Sequence, residues 1–123
     1  MRRTNAERIA LKFVECINKQ DIEGLVTLMT EEFTMIAYER KPETGRELMR
    51  EGFQGYFTDF PKYKIHVLKV ARSGDDIAII GKTTGSHIAP EIEAKETVIW
   101  IAKVEDNLVS EWRIFSDLDH LGE

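Results

Sequence analysis

Two side chains in this sequence are placed to move a proton, Asp117 and His87, and a third acid, Glu96, stands where a solvent face would not put it. Asp117 follows the apolar stretch Leu108 to Ser116, and in a strand it shares a pleat face with Arg113 and Phe115. A carboxyl beside an apolar neighbour loses hydration, its pKa rises toward neutrality, and it can then serve as general acid or base. Arg113 on the same face can pair with Asp117 and keep it ionised, favouring a base or ligand-orienting role; equally, the two can form a solvated ion pair worth little. The plainer reading of Asp117 is a cap, with Ser116 and Asp119, on a terminal turn in water. His87 ends the run Thr83-Thr84-Gly85-Ser86-His87, at a strand end that can lie over a pocket mouth, or serve as an ordinary hydrogen-bonded surface position. Glu96 lies in phase with Val98 and Trp100 and marks a polar spot in a cavity. Tyr38, Phe53, Tyr56 and Met35 are candidate pocket walls, with core packing the default for each; Trp100 and Trp112 read as packing or interface residues.

Other chemistries find no foothold. There is no paired His/Cys cluster for a metal, no nucleophile elbow and no glycine-rich phosphate loop, so neither metal nor cofactor is expected. The formal net charge is -5, and without a basic patch interleaved with aromatics the chain is not expected to bind nucleic acid. Cys16 is the only cysteine and suits a reducing compartment. The start runs straight into a charged amphipathic pattern, and the longest strongly apolar run, Val98 to Ala102, is too short to span a membrane. A cytoplasmic protein is the expectation.

Positioning these side chains takes a small set of elements. Ile9, Phe13, Cys16 and Ile17 recur at helical spacing between Thr4 and Lys19, and Thr4 with Glu7 reads as a capping box. Asp21 caps a second helix carrying Ile22, Leu25, Val26, Leu28 and Met29. Phe33 to Tyr38 is a short strand closed by the turn Glu39-Arg40-Lys41-Pro42. Thr44 with Glu47 reads as another capping box, opening a helix that Pro61 stops. Beyond it the period becomes two: Tyr63, Ile65 and Val67 alternate, then Leu68 and Val70 continue on the opposite phase, which predicts a β-bulge. A turn at Ser73-Gly74-Asp75-Asp76 leads into a strand from Ile77 to about His87. A long strand from Ile92 to Val104 follows, then a turn at Glu105-Asp106-Asn107 and a last strand from Leu108 to Ser116. In that strand alternation puts Leu108, Trp112 and Ile114 on one face, with Val109 and Phe115 on the other. Helices gathered first and strands later predict a single α+β domain over residues 1–123 with an antiparallel sheet.

Thr97 to Ala102 is apolar on both pleat faces, so both must be covered. Helices can cover one. A second subunit packed sheet to sheet can cover the other, which predicts a homodimer; the alternative is cover by the chain's own loops.

This order of elements resembles the nuclear transport factor 2-like superfamily, and within it the SnoaL-like polyketide cyclase group. The likeness covers nearly the whole chain. Its carriers are the first amphipathic helix with Asp21 and Leu25, the junction Phe60-Pro61, Gly85-Ser86-His87, and the ending Trp112-Arg113-Ile114-Phe115-Ser116-Asp117. The resemblance implies a cone-shaped, curved antiparallel sheet with three helices in the N-terminal half around a pocket. It implies a small apolar ligand, and in the cyclases a catalytic carboxylate near the end of the final strand, where Asp117 lies, with a histidine close by, where His87 lies. It also implies an activity of cyclase or isomerase type, cofactor-independent and acting on a carbonyl; binding modules and dimeric interaction modules of the same fold remain the alternative. Ketosteroid isomerases carry a base aspartate where this chain reads Thr34-Met35-Ile36-Ala37-Tyr38, and epoxide hydrolases need an Arg-x-Asp absent between Ile77 and Thr97, so neither activity is implied.

Overall fold

The computed structural model describes residues 3–37 and 40–117. Helix α1 (Asn5–Lys19) starts at the expected capping box: the Thr4 hydroxyl accepts the Glu7 amide at 3.2 Å, and the Glu7 carboxylate accepts the Thr4 amide at 2.9 Å. Its apolar stripe, Ala10, Phe13, Val14, Cys16 and Ile17, is buried. Gln20 reverses the chain at φ 56°, and the Asp21 carboxylate accepts the Gly24 amide to begin α2 (Ile22–Thr27). Strand β1 (Met29–Ala37) follows, then the two-residue β2 (Glu43–Thr44) and helix α3 (Arg46–Asp59). The second capping box does not form. Thr44 belongs to β2, where its hydroxyl lies 3.1 Å from that of Thr34, and Gly45 at φ 119° precedes the helix without a side-chain cap. Strand pairing with β1 has taken the threonine that the helix would have used.

The remaining elements are β3 (Lys64–Ser73), β4 (Asp76–Thr84), α4 (Pro90–Glu93), β5 (Val98–Glu105) and β6 (Leu108–Ser116). Helix α4 interrupts what the apolar pattern predicted as one strand from Ile92, and β5 begins at Val98 instead. Pro90 at its first turn fits a helix start and has no N–H for a ladder. The preceding strand likewise ends at Thr84 and not near His87.

The six strands lie in the order β2-β1-β6-β5-β4-β3, with β2 and β3 at the two edges. The sheet is therefore open and mixed, and the expected cone-shaped, curved antiparallel sheet is corrected: β1 runs parallel to β6, pairing Met35 with Trp112 and Ala37 with Ile114. Alternation of apolar residues is the same for either strand direction, so the sequence pattern was blind to this pairing. The three helices of the N-terminal half are α1, α2 and α3, and the short α4 is a further helix beyond it.

The predicted bulge is present. The β3–β4 register shifts between Val67 and Lys69, leaving Leu68 extra. Opposite it stands Gly81, where a Cβ would come within 2.2 Å of the His66 carbonyl oxygen. A second register shift, unforeseen, falls at Lys103/Val104 against Glu111/Val109. It brings Val109 into the core with Trp112, so the strict alternation read for the last strand fails there.

Helices α1 and α3 cover one face of the sheet. Phe13 of α1 is the centre of that layer, its ring 4.7 Å from Trp112 and 5.8 Å from Phe33, with Phe53 of α3 edge-on at 6.3 Å. The Asn18 amide bonds both the N–H and C=O of Ile65, tying the end of α1 to edge strand β3. Among the described residues no helix is long and apolar enough to cross a membrane.

Candidate functional site

Between the helices and the covered sheet face lies a cavity of about 580 Å³. Val98 and Trp100 of β5 and Trp112, Ile114 and Ser116 of β6 form its sheet wall, with Met35 and Ala37 of β1 beside them. Met49, Phe53 and Tyr56 face them from α3, and the segment Ser86-His87-Ile88 crosses one side. The exposed lining residues Arg40, Glu51, Asp59 and His87 mark where the cavity meets solvent. The lining is mixed: aromatic and aliphatic walls with a few polar groups, the usual makeup of a small-molecule site.

Of the acids lining this cavity, Glu43, Glu51, Asp59 and Glu96, the buried one is Glu96. Only 8% exposed, it lines the wall in phase with Val98 and Trp100, and the Ser116 hydroxyl donates to its Oε2 at 2.5 Å. The alternation that makes a strand puts every second residue on the covered face, and Glu96 continues that phase past the start of β5. Its backbone carbonyl accepts Lys82 Nζ at 3.0 Å, so the turn before β5 is pinned to β4.

Asp117 lies elsewhere. It is exposed, in the turn after β6 and not among the cavity's lining residues, and its Oδ1 accepts the Thr97 amide at 2.9 Å while its own amide donates to the Thr97 carbonyl at 3.1 Å. Arg113 and Phe115 do share a pleat face of β6, which ends at Ser116 before Asp117, but that face is the uncovered one: Phe115 is 42% exposed, and Arg113 pairs with Glu111 at 2.5 Å. Alternation tells which residues share a face, not which face is covered. Tyr38 lies outside the described residues.

His87, Phe53 and Tyr56 all line the cavity. The Tyr56 hydroxyl accepts the His87 amide at 3.2 Å and sits 2.9 Å from its ring Nδ1, with the two rings edge-on at 5.8 Å. Burial pushes the Tyr56 hydroxyl above its ordinary value of 10; Glu93 adds to this, against hydrogen bonds from His87 and Ser86.

Two residues were not singled out from the sequence. Tyr63 packs edge-on against Tyr56 at 5.1 Å and lines the cavity; burial first, then Tyr56, Glu93 and Glu96, raise its hydroxyl far above 10, so it is a neutral donor at neutral pH. Glu93 is 6% exposed and accepts the Thr83 hydroxyl at 2.8 Å and the Ser86 amide at 3.1 Å. Burial pushes its carboxyl up, but hydrogen bonds from the Ser86 and Thr83 side chains and from the Ser86 and Gly85 amides outweigh that and hold it below the ordinary 4.5. The signal for Glu93 was Ala89-Pro90, which starts a helical turn and not a strand.

A family model described as SnoaL-like domain matches residues 10–112. No curated protein matches the chain. Among solved structures, a nuclear transport factor 2-like protein of unknown function from Cytophaga hutchinsonii superposes with a TM-score of 0.76 at 16% identity, covering 100% of this chain and 98% of that one. An uncharacterized cystatin fold protein from Novosphingobium aromaticivorans gives 0.77 at 18% identity, over 93% and 99% of the two chains. Bal32a, from a soil-derived mobile gene cassette, gives 0.79 at 17% identity, over 94% and 92%. At these identities the likeness concerns the fold alone.

Proposed function

Since the chain belongs to the SnoaL-like domain family, we propose that its cavity binds a small, mostly apolar, carbonyl-bearing molecule and moves a proton on it without a cofactor, as a cyclase or isomerase does. One observation carries the reading: Glu96 is a buried carboxylate inside an aromatic-walled cavity, oriented by a hydroxyl donor. Such a carboxylate is a base whose hydration has been exchanged for a fixed partner. Glu96 takes a proton from the carbon next to the carbonyl. The C–H electron pair forms the new C=C bond and the carbonyl π pair moves onto oxygen, giving an enolate. In a substrate with a C=C on the far side of that carbon, the enolate is a dienolate: its oxygen pair re-forms the carbonyl, the double bonds shift by one position, and protonated Glu96 returns the proton to the remote carbon, which isomerises the substrate. Alternatively, the enolate carbon attacks a second carbonyl of the same molecule, whose oxygen takes the proton, which closes a ring.

Donors for the enolate oxygen are at hand in Tyr63, kept neutral by burial, and His87. The Tyr56 hydroxyl bonds both the His87 amide and its ring Nδ1, which fixes how the imidazole is turned over the cavity. Preorganised donors of this kind stabilise developing oxyanions. Asp117, the acid expected from the sequence, acts in this reading as a positioning residue: from the turn after β6 it clamps the backbone of Thr97, the neighbour of Glu96.

The test needs no natural substrate. Incubated with 2-tetralone in heavy water, the protein should accelerate loss of the α-proton NMR signal. Glu96→Gln should remove about 10²–10⁴-fold of that acceleration, whereas Asp117→Asn should lose tenfold or less. No acceleration across a panel of apolar ketones, or acceleration that survives Glu96→Gln, sinks the reading and leaves a binding module.

The uncovered sheet face supports a second feature of the same proposal, a homodimer. Ile80, Ile99 and Phe115 are register partners on three adjacent strands, and Ala78 and Ile101 lie beside them. Ile99 is 36% exposed and Phe115 42%. A contiguous apolar row of this kind pairs with its own copy about a two-fold axis.

A further inference from the structure

We propose that Glu93 is a positioning residue, whose buried carboxylate holds residues 85–89 as a strap across the cavity mouth with His87 docked on Tyr56. The strap leaves β4 at Thr84 and returns to the fold at α4. Its pivot is Gly85, at φ 71°, where a Cβ would lie 2.4 Å from the Lys62 carbonyl oxygen. From there the chain has no ladder partner, and its polar groups are taken up one by one. The Ser86 amide donates to Glu93 at 3.1 Å, the Ser86 hydroxyl accepts the Ile88 amide at 3.1 Å, and the His87 amide donates to the Tyr56 hydroxyl at 3.2 Å. The second hydrogen bond to Glu93, from Thr83 at 2.8 Å, anchors the carboxylate to β4. At the far end Lys82 Nζ reaches the carbonyls of Ala94 at 3.4 Å and Glu96 at 3.0 Å. One side chain thus ties the strap to the sheet on the near side, and another fixes the segment that carries Glu93.

Glu93 does not line the cavity, whereas Ser86, His87 and Ile88 do. Its effect on the site is therefore indirect: without it, the Ser86 amide loses its acceptor, and only the contacts of His87 with Tyr56 and Phe60 are left to hold the strap over the mouth. A buried carboxylate gathering amide and hydroxyl donors is the kind of fully satisfied network that rigidifies a loop. This inference rests on the proposed reading of the cavity for what the strap covers, yet its test uses no ligand, so the two can fail separately.

The experiment is NMR on the full chain, comparing wild type with Glu93→Ala and Glu93→Gln and with Glu91→Gln as an exposed control on the same turn. Glu93→Ala should speed exchange of the Ser86, His87 and Ile88 amides about tenfold or more, with the Trp100 and Trp112 amides within about twofold of wild type. The His87 ring nitrogens should move from the pattern of a single tautomer fixed by the Tyr56 hydroxyl to that of an averaged one, a change that loss of general stability would not produce. Glu93→Gln, which keeps one acceptor oxygen, should fall between. Unchanged strap amides and His87 ring in Glu93→Ala, or acceleration shared equally by the sheet, would overturn the assignment. If Glu93→Ala does not fold, Glu93→Gln and Thr83→Val carry the same comparison, and no strap-specific change in either overturns it.

Discussion

A carboxylate's use depends on what surrounds it, and Glu93, Glu96 and Asp117 show three outcomes within one small region. Asp117 is wet and bonds a backbone amide; Glu93 is buried and saturated by donors; Glu96 is buried and faces a cavity. The pH dependence of stability follows from the shifted groups. Glu93 is held below the ordinary 4.5 in the folded state, so its contribution is present above about pH 4.5 and is lost as pH falls through the lower folded value. Glu7, lowered by its bonds to Thr4, acts in the same direction at the surface. Melting temperature should therefore fall on acidification below about pH 4.5, and Glu93→Gln should flatten that fall; an unchanged acid limb would contradict the geometry. Tyr56 and Tyr63 work at the other end. Their raised hydroxyls favour the folded state below pH 10, and that contribution is lost as pH rises above 10 toward the folded values. Tyrosinate absorbance in the folded protein should lag behind that of the unfolded chain, and Tyr63→Phe should remove part of the lag.

At the scale of elements, local chemistry and tertiary pairing compete for the same residues. Thr4 won its helix: Thr4→Ala should cost about 1 kcal/mol in urea unfolding, because the Glu7 backbone amide loses its side-chain acceptor. Thr44 lost its helix to β2 and should show no capping loss on replacement by Ala. The bulge in β3 makes its own demand. Gly81→Ala should destabilise by about 1–3 kcal/mol, since its Cβ meets backbone and not a side chain that can swing away. A neutral result there would mean that the bulge is not rigid.

For the whole molecule the open question is the outward sheet face. A dimer through Ile80, Ile99 and Phe115 should elute and scatter light as a particle of about twice the 14.2 kDa chain mass. Ile99→Asp should return it to one chain with the cavity residues untouched, because Ile99 points away from the helices. A monomeric wild type at high micromolar concentration would remove the dimer from the proposal.

Much of the architecture was legible before any coordinates. The capping box at Thr4, the Asp21 cap and the Asp106-Asn107 turn, with φ of 52° and 64°, all rest on interactions within a few residues, which neighbouring side chains determine almost alone; the bulge after Val67 forms against β4 but shows within one strand as a change of apolar phase. The same holds for the suspicion attached to Glu96, since a charged residue on an apolar phase is visible in one strand. Longer-range matters were not legible. Period-two alternation is identical for parallel and antiparallel neighbours, so β1 beside β6 was invisible, as was the shift that turned Val109 inward. Nor does a strand declare which of its faces will be covered: that was decided by where α1 and α3 came to rest, and it placed Glu96 inside and Asp117 in water.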